Sequence, residues 1–230
     1  MQGYSLRARL CAEGAKIWFY IVLMSSRISS LTAGIILLLI PVAIVAIVKQ
    51  TSWGPVLATP QARQIGGPEA KVAIVEYSDF QCPSCAHMQP VVHSFVDYYH
   101  GRVRLAYKYF PLTKLHKNAL NSAHAAQCAA EQNKFWPYGD ALFATQMSWA
   151  ELADPTTTFM AIARQVRLDP GKFQACYADP KELAPIERDM DEGRRRQVSA
   201  TPTFFVGEER IVGGNFANEG SGVIERQLRK

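Results

Sequence analysis

Two cysteines separated by two residues, Cys82-Pro83-Ser84-Cys85, are the clearest candidates for chemistry in this sequence. A Cys-x-x-Cys pair can hold a metal ion, form a structural bridge or exchange disulfides with another protein. Strand-forming residues precede the pair and residues at helical spacing follow it, so we expect Cys82 at a helix N-terminus. Unpaired N–H groups and the helix dipole stabilise a thiolate there. The pattern favours redox exchange, with Cys82 as the attacking and attacked sulfur and Cys85 as the more buried resolving thiol.

The two intervening residues would modulate that thiolate. Pro83 suits the first helical turn, because the N–H group that proline lacks would have had no partner there. Ser84 either donates a hydrogen bond to the thiolate or fills the loop without a role. The Pro-Ser dipeptide therefore leaves the redox potential of the pair open.

A metal site is the main alternative of another class. Structural zinc sites use four ligands, often from two Cys-x-x-Cys pairs, and this sequence has a single pair. His87 follows Cys85 by two residues, so Cys82, Cys85 and His87 could form a copper- or zinc-binding module. A purely structural bridge is disfavoured by the short loop at the start of a helix. The preferred interpretation has no metal.

The elements that must position the pair follow from residue patterning. A nearly continuous apolar run before the cysteines is typical of a buried strand, and an alanine-rich block in the second half of the chain is typical of helices. The expected fold class is α/β (α+β), with a helical block interrupting the sheet-forming parts. The expected elements are strands at 71–80 and 102–112, a helix at 86–101, a helical block at 113–196, a hairpin at 201–214 and a short helix at 221–230.

The N-terminal region predicts a membrane anchor. Residues 28–48 carry no charge over 21 positions, which is long enough to span a bilayer as a helix. The preceding basic residues place 1–27 in the cytoplasm. Residues 49–63 are then a linker, and the rest of the chain lies in the periplasm or outside the cell. A cleavable signal peptide is the alternative, with a weak cleavage match at 56–58.

The formal net charge of +5 is concentrated at the N-terminus. Residues 1–30 contain four basic and one acidic side chain, leaving 21 basic and 19 acidic side chains in the other 200 residues. The body of the chain is therefore near neutral and lacks the basic stripe of a nucleic-acid-binding protein.

Cysteine placement agrees with this topology. Four of the five cysteines follow the apolar segment, where thiols can oxidise, and Cys11 precedes it. Cys128 and Cys176 both lie in the helical block. A structural disulfide between them is favoured by the compartment, and two buried free thiols are the alternative.

The stretch VAIVEYSDFQCPSC resembles the DsbA-type branch of the thioredoxin superfamily, especially its membrane-anchored, Gram-positive forms. Glu76 stands where that superfamily has a buried acid, and Pro90 where its active-site helix is kinked. Residues 199–206, SATPTFFV, resemble its Thr-Pro segment, and 132–144, QNKFWPYGDALFA, resemble part of the helical insert of DsbA-type proteins. The resemblance covers about residues 60–225.

The resemblance implies a thioredoxin-like domain at 64–112 and 197–230, interrupted by a helical domain at 113–196. It also implies a cis Pro202 facing the active site, with the Thr201 backbone available to a substrate strand. A buried Glu76 would have a raised pKa and would exchange a proton with Cys85. Lys108 is a candidate partner of Glu76 if it shares the same face of the sheet.

The implied function is a membrane-anchored thiol:disulfide oxidoreductase that introduces disulfides into exported, cysteine-containing proteins. A quinone-linked membrane enzyme of the DsbB or vitamin K epoxide reductase type would reoxidise it, and the redox-active disulfide would be its only redox centre, without a separate cofactor. An extracytoplasmic reductase or isomerase is the alternative. The isomerase version is weakened by the absence of a recognisable dimerisation segment before the thioredoxin-like part.

Overall fold

A five-stranded mixed sheet forms the centre of the computed structural model, which describes residues 59–230. The strands are β1 (Gln64–Gly66), β2 (Val72–Ser78), β3 (Val103–Tyr109), β4 (Thr203–Val206) and β5 (Glu209–Val212). Their spatial order is β1-β3-β2-β4-β5, with β2 and β3 parallel and the other neighbours antiparallel.

Strand β2 lies at the middle of the sheet, and all seven of its residues are buried. Its continuous apolar character matches this position, because a strand covered on both faces does not alternate. Helix α1 (Pro83–Tyr98) follows β2 and provides the crossover to β3. The short connection from β2 to α1 therefore leaves the Cys82–Cys85 pair at the carboxyl end of the central strand.

Six α-helices separate β3 from β4. They are α2 (Ala119–Ala130), α3 (Phe135–Ala144), α4 (Gln146–Trp149), α5 (Thr156–Gln165), α6 (Pro170–Ala178) and α7 (Ala184–Arg195), and α8 (Asn215–Leu228) follows β5. Short 3₁₀ turns occur at Gln61–Arg63 and Pro180–Leu183. Ten of the twelve residues of α2 are buried, so this alanine-rich helix forms the interior of the helical block.

Helix α7 packs closely against the sheet at Gly193. A Cβ atom placed there would lie 2.7 Å from the ring of Phe110, which is closer than Cβ atoms approach their neighbours, and 3.1 Å from that of Tyr77, which is a tight contact. Glycine at this position therefore allows the last insert helix to contact the sheet.

Cys128 on α2 and Cys176 on α6 form a disulfide with a Cα–Cα distance of 5.7 Å. The bond closes a loop with a sequence separation of 48 residues. A cross-link of this kind removes conformational entropy from the unfolded chain.

Replacing both cysteines of this bond by serine is expected to lower the free energy of unfolding by about 2–4 kcal/mol under oxidising conditions. Urea unfolding followed by circular dichroism measures this change. Wild type and variant should have similar stability in excess reductant, because both then lack the cross-link. Equal stability under oxidising conditions would contradict the prediction.

The helices and strands expected from patterning are present with shifted ends. The helix expected at 86–101 runs from Pro83 to Tyr98, and the short helix expected at 221–230 begins at Asn215. Within residues 59–230, no helix is long and apolar enough to cross a bilayer. The anchor expected at 28–48 lies outside the described residues, as does Cys11.

Candidate active site

The loop between β2 and α1 is held in place by the buried carboxylate of Asp79. Its oxygens accept hydrogen bonds from the backbone N–H groups of Gln81, at 2.8 Å, and Leu112, at 2.9 Å. His116 Nδ1 lies 2.7 Å from the same carboxylate. These contacts fix the loop after Ser78, so that Cys82 becomes the N-cap residue of α1.

Cys82 has the properties of a thiolate at neutral pH. A hydrogen bond from the Cys85 thiol is the main cause that lowers the pKa of Cys82, to about 5. Burial opposes this shift, while the Thr201 side chain and the backbone N–H groups of Cys85 and Ser84 add to it. The backbone contribution is the one expected of a helix N-terminus.

The pKa of Cys85 is shifted in the opposite direction. This residue is fully buried, and burial together with the nearby Cys82 raises its pKa well above that of a free thiol. Both cysteines are free thiols in this structure. The geometry therefore brings together one thiol that ionises easily and one that holds its proton.

The Thr201–Pro202 peptide bond is cis, and Thr201 lies against Cys82. The Cys82 thiol donates a hydrogen bond to the Thr201 carbonyl oxygen at 3.4 Å. The Thr201 hydroxyl is buried and has no geometric hydrogen-bond partner among the described residues. It is therefore available to donate to the Cys82 sulfur once that sulfur is ionised.

Glu76 is buried in the middle of β2, directly opposite Tyr107 on β3. Burial raises the pKa of its carboxyl group to about 7. Lys108 is not its partner, because Lys108 forms ion pairs with Asp189 and Glu192 of α7. Successive side chains of a strand point to opposite faces, so Lys108 and Tyr107 diverge.

Most of the chain matches a known protein family. The family Thioredoxin_4, described as "Thioredoxin", matches residues 58–226. The chain belongs to this thioredoxin family.

Solved structures agree with this membership. A thioredoxin-like oxidoreductase from Silicibacter pomeroyi DSS-3 is 26% identical, with a TM-score of 0.62, and the match covers 75% of this chain and 93% of that one. The thiol-disulfide exchange protein alpha-DsbA2 from Wolbachia pipientis is 18% identical and has a TM-score of 0.63 over 74% of this chain and 87% of its own. The predicted membership in the thioredoxin superfamily and the predicted thioredoxin-like fold are confirmed.

A curated relative is larger than this chain. The Na(+)/H(+) antiporter NhaA 3 of Salinispora tropica is 38% identical over 156 residues, which is 67% of this chain and 23% of the relative. The chain thus spans about a quarter of the length of the curated relatives that it matches.

The remaining residues of this thioredoxin-family site lie at its surface. Pro83, Ser84 and His87 are exposed on the first turns of α1, and Ser84 acts on Cys82 through its backbone N–H group. Within residues 59–230, no group of three or more His, Cys, Asp or Glu side chains is arranged to hold a metal ion. No geometric observation therefore favours the metal-binding alternative.

Sequence reasoning missed a set of buried amides that hold the active-site loop against the helical block. The Gln81 side-chain oxygen accepts from the backbone N–H of Asn118 at 2.6 Å. Gln146 donates to the carbonyl oxygens of Phe80 and Cys82, at 2.8 and 3.1 Å. No periodic signal marks these glutamines, since glutamine side chains are usually exposed.

Thr201→Val should raise the pKa of the Cys82 thiol, because valine keeps the shape of threonine and removes the hydroxyl that stabilises the thiolate. The expected shift is upward by about half a unit to one unit from the wild-type value, as the lost group is one hydrogen bond among several. Thiolate absorbance at 240 nm, recorded from pH 3 to 9, measures it. Thr203→Val is a matched control, because the Thr203 hydroxyl donates to the Ala200 carbonyl instead. An unchanged titration in Thr201→Val would contradict the assignment.

Proposed function

We propose that this thioredoxin-family protein is a membrane-anchored enzyme that introduces disulfides into exported proteins through the Cys82–Cys85 pair. The difference in acidity between the two thiols is the observation that carries the proposal. Cys82 has a pKa lowered to about 5, and the pKa of the neighbouring Cys85 is raised.

The lowered pKa of Cys82 favours the reduced form of the protein. A cysteine in an unfolded chain has a pKa of about 8.5. A folded-state value of about 5 therefore adds stability that is fully present above pH ~8.5 and is lost as the pH falls through about 5. The disulfide form contains no thiolate and gains nothing from this effect. The 82–85 disulfide is accordingly an oxidant toward substrate thiols at neutral pH.

The chemistry then follows from the positions of the two sulfurs. A substrate thiolate attacks Cys82 Sγ, the bond between Cys82 and Cys85 breaks, and a mixed disulfide forms between Cys82 and the substrate. A second substrate thiolate attacks the substrate sulfur of that bond and releases Cys82 as a stable thiolate. The substrate leaves with a disulfide and the protein is left as a dithiol.

Thr201 is proposed to orient the substrate during this exchange. Its carbonyl oxygen accepts a hydrogen bond from Cys82 when that thiol is protonated. Cys82 has no proton to donate once it is ionised or bonded to substrate, so the carbonyl can then accept from a substrate backbone N–H, as in strand addition. Backbone recognition of this kind suits unfolded substrates of varied sequence.

The proposed partners follow from the electron balance. Each turnover leaves two electrons on the protein, which a membrane enzyme must remove. We assign that role to a quinone-linked reoxidase of the DsbB or vitamin K epoxide reductase type. The redox-active disulfide needs no separate cofactor for this cycle.

Membrane attachment is supported by the uncharged segment at 28–48 and by the Salinispora tropica relative, whose name is that of a membrane antiporter. The full chain should therefore remain with the membrane fraction after extraction at alkaline pH. Release into the soluble fraction would contradict an uncleaved anchor.

The redox potential of the pair tests the proposed direction. Equilibration with glutathione buffers, with oxidised and reduced forms separated after alkylation, should give a value closer to about −120 mV than to about −270 mV. A variant with Cys128 and Cys176 replaced by serine ensures that the measured equilibrium belongs to the 82–85 pair. A value near −270 mV would instead support the alternative, an extracytoplasmic reductase or isomerase.

A further inference from the structure

Ser78 is the last residue of β2 and lies behind the buried cysteine of the active site. Residues two apart in a strand share a face, so Ser78 lies on the same face as Glu76. Tyr107 is opposite Glu76 on β3 and packs in one buried cluster with Cys85. The exposed fractions are 3% for Glu76, 1% for Ser78, 2% for Tyr107 and 0% for Cys85, so all four groups are buried in the interior.

The two hydroxyl groups in this cluster have no direct hydrogen-bond partner among the described residues. Both Ser78 Oγ and Tyr107 Oη are buried without one. A buried hydroxyl that makes no hydrogen bond is costly, and one that persists calls for an explanation. Such a group can change partners easily, because no strong hydrogen bond has to be broken first.

Ser78 is the group that the other members of the cluster share. Burial is the main cause that raises the pKa values of Glu76, Cys85 and Tyr107, and in each case the Ser78 hydroxyl acts in the opposite direction. The serine hydroxyl is therefore near the carboxyl group, the thiol and the phenol at once. A hydroxyl can donate one proton while accepting another, so it can connect an acid to a base.

We propose that the Ser78 hydroxyl carries the proton that Glu76 and Cys85 exchange. The inference rests on the proposed function, because it concerns the fate of the Cys85 sulfur during disulfide exchange.

Attack of a substrate thiolate on Cys82 breaks the bond between Cys82 and Cys85, and its electron pair goes to Cys85 Sγ. The Ser78 hydroxyl gives its proton to that thiolate and takes one from the Glu76 carboxylic acid. The substrate sulfur is oxidised, the Cys85 sulfur is reduced, and Glu76 is left as a carboxylate. Reoxidation of the dithiol runs the same transfer in reverse.

The surroundings of Glu76 leave few other routes for this proton. From β3 it faces Tyr107, whose pKa is raised well above that of a free phenol, so this group is a poor acid. From β4 it faces Phe204, which carries no charge. Asp79 is the remaining acidic group near the cluster, and its carboxylate is occupied by the loop contacts described above. Among these groups, Ser78 is the one suited to carry a proton to Cys85.

The test measures how fast glutathione reduces the 82–85 disulfide of the full chain in mild detergent, from pH 5.5 to 8.5. Samples are quenched in acid and alkylated, and each rate is divided by the glutathione thiolate concentration. In the wild type, this rate constant should fall as the pH rises through about 7, because the Glu76 acid is lost. Ser78→Ala should be slower by roughly ten- to a hundredfold below pH 7 and should lack the inflection.

Three variants separate proton transfer from a structural effect. Ser78→Thr retains a hydroxyl and should restore the inflection. Glu76→Gln should lose it. Ser122→Ala removes another fully buried serine hydroxyl, from α2, and should behave as the wild type. The Cys82 thiolate titration near pH 5 should be unchanged in Ser78→Ala, which a general distortion of the site would not allow.

The outcomes are distinct. An inflection near pH 7 at wild-type rate in Ser78→Ala, with the inflection lost in Glu76→Gln, overturns the role of Ser78 and leaves the proposed function standing. Equal losses in Ser78→Ala and Ser122→Ala also overturn it, as a general cost of buried hydroxyls. If the wild-type disulfide is not passed to a reduced cysteine peptide at any pH, the proposed function fails and this inference with it.

Discussion

Cys85→Ser should yield a protein that still attacks disulfides at Cys82 but remains attached to its partner. The Cys82 thiolate is stabilised by several hydrogen bonds, and those from backbone N–H groups do not depend on the thiol at position 85. Resolution does depend on that thiol, which is fully buried and lies next to the Cys82 sulfur. Turnover in an assay that requires both thiols should fall by at least about a hundredfold, since an adjacent nucleophile is worth a very high effective concentration.

Mass spectrometry of Cys85→Ser after exposure to a disulfide-bonded peptide should show the mixed disulfide as the main species. Cys82→Ser is the matched comparison and should show neither turnover nor an adduct at this pair. Cys85→Ala leaves no side-chain donor at position 85 and so removes the largest cause of the low Cys82 pKa; its thiolate titration should move upward. Turnover at the wild-type rate by either variant would rule out the assigned roles.

Local sequence determines much of this site. The apolar run of β2 predicts a buried strand, and the helical spacing after the cysteines predicts α1. These two elements alone place Cys82 at a helix N-terminus, which accounts for the backbone part of its lowered pKa. The burial of Glu76 is suggested by its apolar neighbours Val75 and Tyr77. In each case the evidence lies within a few residues of the position in question.

Contacts between distant parts of the chain could not be predicted in this way. The cis peptide bond at Pro202 was expected from a family resemblance, because most X-Pro bonds are trans and nothing local distinguishes this one. The partners of Lys108 lie 81 and 84 residues away on α7, a helix whose charges indicate a solvated face when the sequence is considered alone. The amide contacts of Gln81 and Gln146 likewise depend on how the helical block docks. Patterns of apolar residues do not show which polar groups will be buried together.

Charged side chains between α7 and the sheet pair with backbone groups at the edge of β3. Strand β1 pairs with β3 only as far as Ala106. Beyond it, Arg63 donates to the carbonyl oxygen of Tyr107 at 3.3 Å, and the backbone N–H of Tyr109 donates to Asp189 at 3.1 Å. Arg63 and Asp189 also form an ion pair with each other. The pair thus satisfies backbone groups that would otherwise remain unpaired at a buried strand edge.

Asp189→Asn should therefore lower the free energy of unfolding by about 3–5 kcal/mol, the usual cost of removing one partner from a buried ion pair. The side chains of Arg63 and Lys108 are only 2% and 1% exposed, so neither cation can turn to water when the carboxylate is lost. Lys108 retains Glu192 at 2.9 Å, whereas Arg63 has no second ion pair within the described residues. The destabilisation should therefore come mainly from the unpaired arginine.

Urea unfolding of the full chain in mild detergent, followed by circular dichroism, measures this change. Asp191→Asn is a matched control on the same helix, because its ion pair with Arg194 is about 60% exposed and should contribute at most about 0.5 kcal/mol. Asp189→Ala should cost more than Asp189→Asn, since asparagine keeps an oxygen for the Tyr109 N–H and alanine does not. If Asp189→Asn and Asp191→Asn are equally stable, the buried ion pair does not anchor α7. If alanine and asparagine at 189 are equivalent, the pairing of the strand edge contributes nothing measurable.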